Sequence, residues 1–329
     1  MTPQFMSRSK KVNAITVPYK MLEGFESYLD QEPSSYILQL GEEQDQQPLV
    51  MVLPPWLNSA DSLVNWRAFK ESVPARFSRL HKQGDMPDCL VVFPRLFTYF
   101  GGSQFVDSDM LGKHASWVCL ELIEYLEKKY KISKKPVDRI VMGRSSGGFA
   151  AIRFAMDFPG VFGKILCHSG DMGFDTMLQR DMVFLSGHLQ KYDRSIVKFL
   201  KYAESTQKLS GSDLHALMLV GYSAFYSGNK KGELCFPADL KTAELNNHWQ
   251  KWLAHDPLVR ADQSIDALKK LDLLYLDCGN RDQYYLQYGM RRLSKKLKEH
   301  SVEHSMFEFD DNHSGTEYRF DTSLKLAFA

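Results

Sequence analysis

Short apolar runs alternate with amphipathic segments along much of the chain. Each run is closed by proline, glycine or charged residues, a pattern typical of buried β-strands. Runs of this kind occupy Ser34–Leu40, Pro48–Pro55, Asp88–Pro94, Val137–Gly143, Gly163–Gly170, Leu271–Gly279 and His304–Phe309. Because continuously apolar strands are buried on both faces, the pattern predicts an α/β protein with a mostly parallel central sheet flanked by helices.

The segments between these runs have helical periodicity. In Lys113–Tyr130, Trp117, Leu120 and Ile123 recur at helical spacing, with charged residues between them. Two further helices are predicted over residues 146–159, ending at a proline, and over residues 284–300.

A long helical and aromatic block, residues 171–257, interrupts the alternation. It begins after Gly170 at the end of one predicted strand, and the strand pattern returns at Leu271. Both attachments therefore fall near the carboxyl edge of the sheet. We interpret 171–257 as a helical cap inserted into a single domain that spans residues 1–329.

Composition narrows the class of protein. The 329 residues are 44% hydrophobic, which is enough for a large core, and 41 basic against 40 acidic residues argue against a nucleic-acid partner. The first residues lack the apolar core of a secretory signal, and no apolar stretch is long enough for a membrane span. Five scattered cysteines without a CxxC pair suggest a reducing compartment. We expect a cytoplasmic protein without a membrane partner, and a homo-oligomer stays open.

The stretch "VDRIVMGRSSGGFAAIRFAM" contains the pattern G-x-S-x-G, with Ser145 between Gly143 and Gly147. A nucleophile at the apex of a sharp strand-to-helix turn needs small residues on either side, and the preceding apolar run and following helix supply that context. Ser146 does not fit, because Arg144 stands two residues before it. A plain glycine-rich turn or a phosphate-binding loop is the alternative, but no Lys-Ser/Thr pair follows the last glycine.

A nucleophilic serine needs a base and an acid that orients it, in the chain order Ser, acid, His, each just after a strand. Asp282 follows the strand ending at Gly279, where it could also cap the next helix, and Asp277 is a rival within the strand pattern. Of the ten histidines, His313 alone combines the right order with the right edge. His168 follows a strand and could line the cleft, but it precedes the acid.

The oxyanion of an ester intermediate needs two N–H donors. The Ser146 N–H at the start of the helix is one. The other should come from the loop after "LVMVL", where Pro54 and Pro55 have no N–H, leaving Trp56, which we favour, or Leu57. We expect the substrate pocket to be lined by Leu57, Arg144, Phe105, Phe174, Tyr222 and Phe225.

These motifs resemble the esterase branch of the α/β-hydrolases that includes esterase D (S-formylglutathione hydrolase), feruloyl and enterochelin esterases and the mycolyltransferases. The resemblance covers about Leu49 to Ala329 and rests on "GRSSGG", "GGSQFVDSDMLGKHASW", "FPGVFGKILCHSG", "LDCGNRDQYYL" and "FDDNHSGTEYRFDTSL". It implies an α/β-hydrolase fold with Ser145 as nucleophile, Asp282 as acid and His313 as base. The chain departs from the family at Pro-Pro-Trp, where the family has His-Gly, and in its long cap.

The sequence therefore predicts a serine carboxylic-ester hydrolase that acts through an acyl-enzyme on a small or medium ester, with an apolar or aromatic group suggested by the cap. No cofactor or metal is expected, because no HExxH motif or dense His/Cys cluster occurs. Two alternatives stay open: an acyltransferase that uses an alcohol in place of water, and a hydrolase-fold binding protein without catalysis.

Overall fold

A single eight-stranded sheet organises the molecule in the computed structural model, which describes residues 12–329. Its strands are β1 to β4 and β7 to β10, in the order β1-β2-β4-β3-β7-β8-β9-β10. They span Asn13–Thr16, Ser34–Leu40, Leu49–Leu53, Cys89–Arg95, Arg139–Arg144, Lys164–His168, Leu273–Gly279 and Ser305–Phe309. From β4 to β10 all neighbours are parallel, and β1 and β2 are antiparallel. The predicted α/β-hydrolase arrangement of a mostly parallel sheet is confirmed.

Helices cover both faces of this sheet, and the cores on the two faces are separate apolar clusters. The longer helices span Val73–Lys82, Ile123–Tyr130, Ser146–Asp157, Gln179–His188, Ile196–Ser205, Gly211–Tyr226, Leu286–Glu299 and Phe320–Phe328. Shorter helices span Ala60–Val64, His114–Ser116, Phe174–Met177, His248–Leu253, Pro257–Arg260 and Ile265–Leu268, and Trp117–Leu122 is π-helical. A two-stranded hairpin, β5 and β6, pairs Asp107–Ser108 with Gly112–Lys113.

Several of these elements were not among the sequence predictions. Strand β1 was not predicted because its four residues do not alternate clearly between apolar and polar. It lies at the edge of the sheet and pairs only with β2. Helices Val73–Lys82 and Phe320–Phe328 are the others of note, and they cover one sheet face together. The N-terminal residues in which the sequence shows no secretory signal lie mostly in 1–11, outside the described residues.

Two global features bear on the class of protein. In the described range no helix is long and apolar enough to cross a membrane. All five cysteines are free, and four of them are buried.

The register of the parallel strands brings five loops to one edge. Leu53 pairs with Gly143, Gly143 with Cys167, and Cys278 and Gly279 with the last residues of β10. Because parallel strands end together, the segments after β3, β7, β8, β9 and β10 meet along the carboxyl edge. These segments carry the residues that the sequence singled out.

Candidate active site

Ser145 stands at a strained turn between β7 and the helix Ser146–Asp157. Its φ of 57° and ψ of −125° are a conformation that L-residues rarely adopt. A Cβ atom at Gly143 would lie 2.5 Å from the Gly147 carbonyl carbon, and one at Gly147 would lie 2.2 Å from the Leu53 oxygen. The glycines of the G-x-S-x-G pattern are therefore required by close backbone contacts, and the Ser145 side chain faces the cavity described below.

His313 and Asp282 form a buried pair in the loops after β10 and β9. The Nδ1–H of His313 donates to Asp282 Oδ2 at 2.7 Å, and the side chains are 8% and 0% exposed. Further hydrogen bonds hold each partner: the Tyr284 N–H donates to Asp282 Oδ1 at 2.8 Å, and the Arg144 side chain donates from Nη1 to the His313 carbonyl oxygen at 2.7 Å. This leaves Nε2 of His313 as the ring nitrogen not bonded to the acid.

Asp282 does not cap the helix that follows it, which was the alternative interpretation of this residue. That helix begins at Leu286, three residues further than an N-cap aspartate would allow, and its capping position has no side-chain hydrogen bond. The Asp282 carboxylate instead closes its own loop and bonds to the histidine. The ring of Tyr284 packs edge-on against the His313 ring at 4.8 Å between centroids.

In this structure the Ser145 hydroxyl is directed towards another carboxylate. Its Oγ donates to Asp171 Oδ1 at 3.5 Å, and no hydrogen bond joins Ser145 to His313 within residues 12–329. Both side chains line the same cavity. A rotation of the Ser145 hydroxyl towards His313 is needed before it can transfer its proton, and such hydrogen bonds often tighten only when substrate is bound.

Two backbone N–H groups near Ser145 are free to bind an oxyanion. The N–H of Leu57 is already bonded to the Gly101 oxygen at 2.8 Å, whereas those of Trp56 and Ser146 make no hydrogen bond in the described part of the chain. Ser146 begins the helix, so its N–H also lies at the positive end of the helix dipole. These free donors are the pair that the sequence favoured.

The cavity above Ser145 has a volume of about 220 Å³. Of the predicted pocket residues, Leu57, Arg144 and Tyr222 line it, together with Trp56. The other lining residues are Pro55, Asn58, Ser145, Asp171, Met177, Met218, Tyr284, His313 and Ser314. The segment 171–257 supplies four of these residues, which are Asp171, Met177, Met218 and Tyr222.

Three aromatic residues that were expected in the pocket do not line it. Phe105 and Phe174 are fully buried, and Phe174 stacks against Phe149 of the helix Ser146–Asp157. Phe225 lies edge-on to Trp56 and to His114 on the core side of its helix. For Phe174 and Phe225, helical periodicity could not separate the side of a helix that meets the core from the side that meets a cavity. Phe105 lies outside the helices, in the segment before β5, where periodicity does not apply.

Asp171 is the site residue that sequence reasoning missed. It follows β8, and its side chain is buried, with Oδ2 accepting from Tyr222 Oη at 2.9 Å and from Ser146 Oγ at 3.3 Å. Burial raises the pKa of Asp171, against hydrogen bonds from Tyr222 and Ser146 and the charge of His313, which act to lower it. Asp171 comes three residues after β8 ends at His168, and an acidic residue just after a parallel strand is the sequence signal that could have identified it.

The rival residues Asp277 and His168 form a second buried pair away from the cavity. His168 Nδ1 lies 2.7 Å from Asp277 Oδ1, and His168 Nε2 lies 2.9 Å from Ser323 Oγ on the C-terminal helix. Asp277 also accepts from Tyr275 and Arg319. Burial acts to raise the pKa of Asp277, but His168 and these donors hold it below its ordinary value. His168 therefore does not line the cleft, because its ring turns into the opposite core.

Comparison with known proteins places this site in a family. The family model described as "Putative esterase" matches residues 113–326, which include Ser145, Asp282 and His313. Because the match extends over more than half of the chain, the chain belongs to this esterase family, and it is a serine carboxylic-ester hydrolase. The predicted resemblance is confirmed. No curated protein gives a significant sequence match.

Solved structures of the same fold are numerous. A ferulic acid esterase is 15% identical, with a TM-score of 0.60 and 97% of each chain covered. S-formylglutathione hydrolase from Staphylococcus aureus is 13% identical, with a TM-score of 0.57, and the match covers 97% of this chain and 99% of that one. The enterobactin esterase of Shigella flexneri is 15% identical, with a TM-score of 0.52, over 97% of this chain and 59% of that one. At these identities the likeness concerns the fold.

Proposed function

We propose that ester cleavage by this chain proceeds through an acyl-enzyme on Ser145, with His313 as general base and Asp282 as its orienting acid. The observation that carries the proposal is the buried His313–Asp282 hydrogen bond of 2.7 Å beside a serine held at a strained turn in the same cavity. An aspartate bonded to Nδ1 fixes the tautomer in which Nε2 can accept a proton, and it stabilises the imidazolium that forms.

The reaction needs two transfers of the acyl group. Ser145 Oγ attacks the ester carbonyl while His313 takes its proton, and the protonated His313 then returns that proton to the leaving alcohol. Water, activated by the same histidine, attacks the acyl-enzyme and releases the acid. The N–H groups of Trp56 and Ser146 would bind the oxyanion in both steps, each contributing about 3 kcal/mol to lowering the barrier.

The size of the cavity supports a small or medium ester. About 220 Å³ accommodates a short acyl group and part of an alcohol, and Trp56, Tyr222 and Tyr284 present aromatic surface to it. Ferulic acid esterase, one of the solved structures of this fold, acts on an aromatic acyl group by its name. We propose residues 171–257 as the cap over this pocket, since Met177, Met218 and Tyr222 reach the cavity from it.

A fluorophosphonate probe tests the proposal directly. We expect covalent labelling at Ser145, located by peptide mass spectrometry, and its loss in Ser145→Ala and after heat denaturation. Short acyl esters should be hydrolysed with release of free acid, and the Ser145→Ala variant should not turn them over. Labelling at any other residue, or hydrolysis by Ser145→Ala, would contradict the assignment.

A further inference from the structure

Asp171 is a buried carboxylate inside the catalytic cavity that forms no ion pair in the described part of the chain, although the charge of His313 acts on it. It is 1% exposed, and within residues 12–329 no Lys, Arg or His forms an ion pair with it. The cationic side chain of the cavity, Arg144, is occupied elsewhere: it pairs with Glu317 at 3.3 Å and donates to the His313 carbonyl oxygen. Burial destabilises the charged form of this carboxyl group, and a cationic ligand beside it would stabilise that form.

The hydrogen bonds of Asp171 leave one oxygen with capacity to accept more. Oδ2 accepts from Tyr222 and Ser146, and Oδ1 accepts a long hydrogen bond of 3.5 Å from Ser145 Oγ. The Gln104 side chain also acts as a donor towards this carboxylate. When the Ser145 hydroxyl turns to His313 for catalysis, Oδ1 loses that donor. A donor on the substrate would replace it at the moment when the nucleophile becomes active.

The other walls of the cavity favour a cation over a neutral donor. Aromatic rings of Trp56, Tyr222 and Tyr284 line it beside the carboxylate, with the thioethers of Met177 and Met218. Aromatic faces attract ammonium groups through the negative face of the ring, and the attraction is stronger in a desolvated site. One carboxylate among aromatic rings is the arrangement that recognises an ammonium group.

Distances restrict where on the substrate this group can lie. The attacked carbonyl carbon lies about 3 Å from the nucleophilic oxygen, and an amine on the next carbon is about 2.5 Å from that carbonyl carbon. Asp171 Oδ1, at 3.5 Å from Ser145 Oγ, is within reach of such an amine. The leaving alcohol must lie towards His313, which protonates it, whereas Asp171 accepts from the hydroxyl of Ser146, the residue whose N–H is proposed to bind the oxyanion.

We propose that Asp171 is a specificity-determining residue that binds an ammonium group on the acyl part of the substrate, on the carbon next to the scissile carbonyl. The preferred substrates are then esters of amino acids or similar 2-amino acids. This inference rests on the proposed function, because it assumes that Ser145 is the nucleophile.

The test compares ethyl esters that differ in one group: 2-aminopropanoate, 2-hydroxypropanoate and propanoate. We expect kcat/KM for the amino ester to exceed that for propanoate by about ten- to hundredfold, the range of a hydrogen bond to a charged group. In Asp171→Asn this ratio should fall to near one. The ratio cancels any general effect of the substitution on Ser145. The matched control is Asp175→Asn, an exposed carboxylate paired with Arg292, which should keep the ratio.

Each other outcome overturns a stated part of the proposal. The proposal is wrong if the ratio is near one in the wild-type protein, or if the ratio is unchanged in a folded Asp171→Asn variant. Asp171 would then only connect Tyr222 to Ser146 through hydrogen bonds. A stronger preference for the hydroxy ester contradicts ammonium recognition. An Asp171-dependent preference for 2-aminoethyl propanoate over ethyl propanoate moves the amine to the alcohol side and overturns the acyl assignment.

Failure of the proposed function is distinguishable from these results. If fluorophosphonate does not label Ser145 and none of the esters is hydrolysed, the mechanism fails. If Ser145 is labelled and the propanoate ester is hydrolysed without preference for an amine, the mechanism stands and the inference about Asp171 fails.

Discussion

Two sets of serine, histidine and aspartate within residues 12–329 invite comparison, one at the carboxyl edge of the sheet and one in the core on a face of the sheet. Ser323, His168 and Asp277 have both hydrogen bonds of a relay, at 2.9 and 2.7 Å. The set at the carboxyl edge has only the one between histidine and aspartate. By hydrogen-bond distances alone, the set in the core would be the better triad.

What separates the two sets is the surroundings of the serine. Ser323 is fully buried within the helix Phe320–Phe328, and its hydroxyl also bonds to the Phe320 oxygen at 3.4 Å. Ser145 stands at a strained turn, lines a cavity and has free N–H donors close by. Access and oxyanion donors therefore distinguish a candidate active site, and a completed hydrogen-bond chain does not.

The surroundings of the core set suggest a structural role. Asp277 bonds to His168, Tyr275 and Arg319, and through His168 it connects the strand β9 to the C-terminal helix. His168, Tyr275, Asp277 and Ser323 are buried, and every one of their side chains has a hydrogen-bond partner in this network. A satisfied buried network fixes one packing arrangement, because any other would leave polar groups unpaired.

The largest expected effect separates the two serines. Ser145→Ala should lower kcat by about five orders of magnitude or more and abolish fluorophosphonate labelling, since it removes the nucleophile. Ser323→Ala should keep labelling and activity, but lose about 1–3 kcal/mol of stability because His168 loses a partner. Labelling kinetics and denaturant unfolding on both variants test this contrast. Loss of labelling in a folded Ser323→Ala variant would contradict it.

The two aspartates should differ in the same way. Asp282→Asn should lower kcat by about four orders of magnitude with little change in stability, because the amide favours the wrong tautomer of His313. Asp277→Asn should instead destabilise the fold by about 3 kcal/mol, since it breaks a buried charged network. The measurements are kcat with a short acyl ester and urea unfolding. A stable Asp277→Asn variant with low kcat would reverse the assignment of the acid.

Two histidines without a carboxylate partner among the described residues, the buried His114 and the partly buried His255, provide a third contrast with His168. Burial lowers the pKa of His114 to about 4 and that of His255 to about 3, from an ordinary value of 6.5. The unfolded chain binds protons at these sites that the folded chain does not, so stability falls as the pH drops below about 6.5. For His114 the loss reaches about 3 kcal/mol by pH 4.

Unfolding in denaturant at pH 7 and pH 5 measures this loss. We expect each of the two histidines to lower the free energy of unfolding at pH 5 by about 2 kcal/mol relative to pH 7. In His114→Asn the difference between the two pH values should shrink by that amount, whatever the absolute stability of the variant. A variant with the wild-type pH dependence would show that His114 does not supply it.

The strained turn at Ser145 could be predicted from sequence because the residues it requires are neighbours in the chain. Gly143 and Gly147 are required by contacts with the adjacent backbone, and Ser145 follows from their spacing. The order of strands and the edge at which they end were enough to select Asp282 and His313 from many acidic residues and histidines. The family resemblance pointed to the same three residues.

Side-chain direction across the sheet could not be predicted in this way. His168 and Asp277 are cross-strand neighbours only through the register of β8 with β9, which is a tertiary property. Asp171 lines the cavity, where Tyr222 donates to it, and Phe174 enters the core just three residues later. Periodicity predicts which residues are buried, but it does not predict which neighbouring residues they pack against.

The smallest expected effect concerns the neighbouring serine. Ser146→Ala should retain kcat/KM within a few-fold and remain labelled at Ser145, because only the Ser146 backbone N–H is assigned to the oxyanion. Its hydroxyl accepts from Gln104 Nε2 at 2.9 Å and donates to Asp171, so the variant should lose about 1 kcal/mol of stability. Kinetics, labelling and thermal unfolding on one preparation test these expectations together. If Ser146→Ala abolished labelling and Ser145→Ala retained it, Ser146 would be the nucleophile. The comparison with the buried Ser323 would then apply to Ser146.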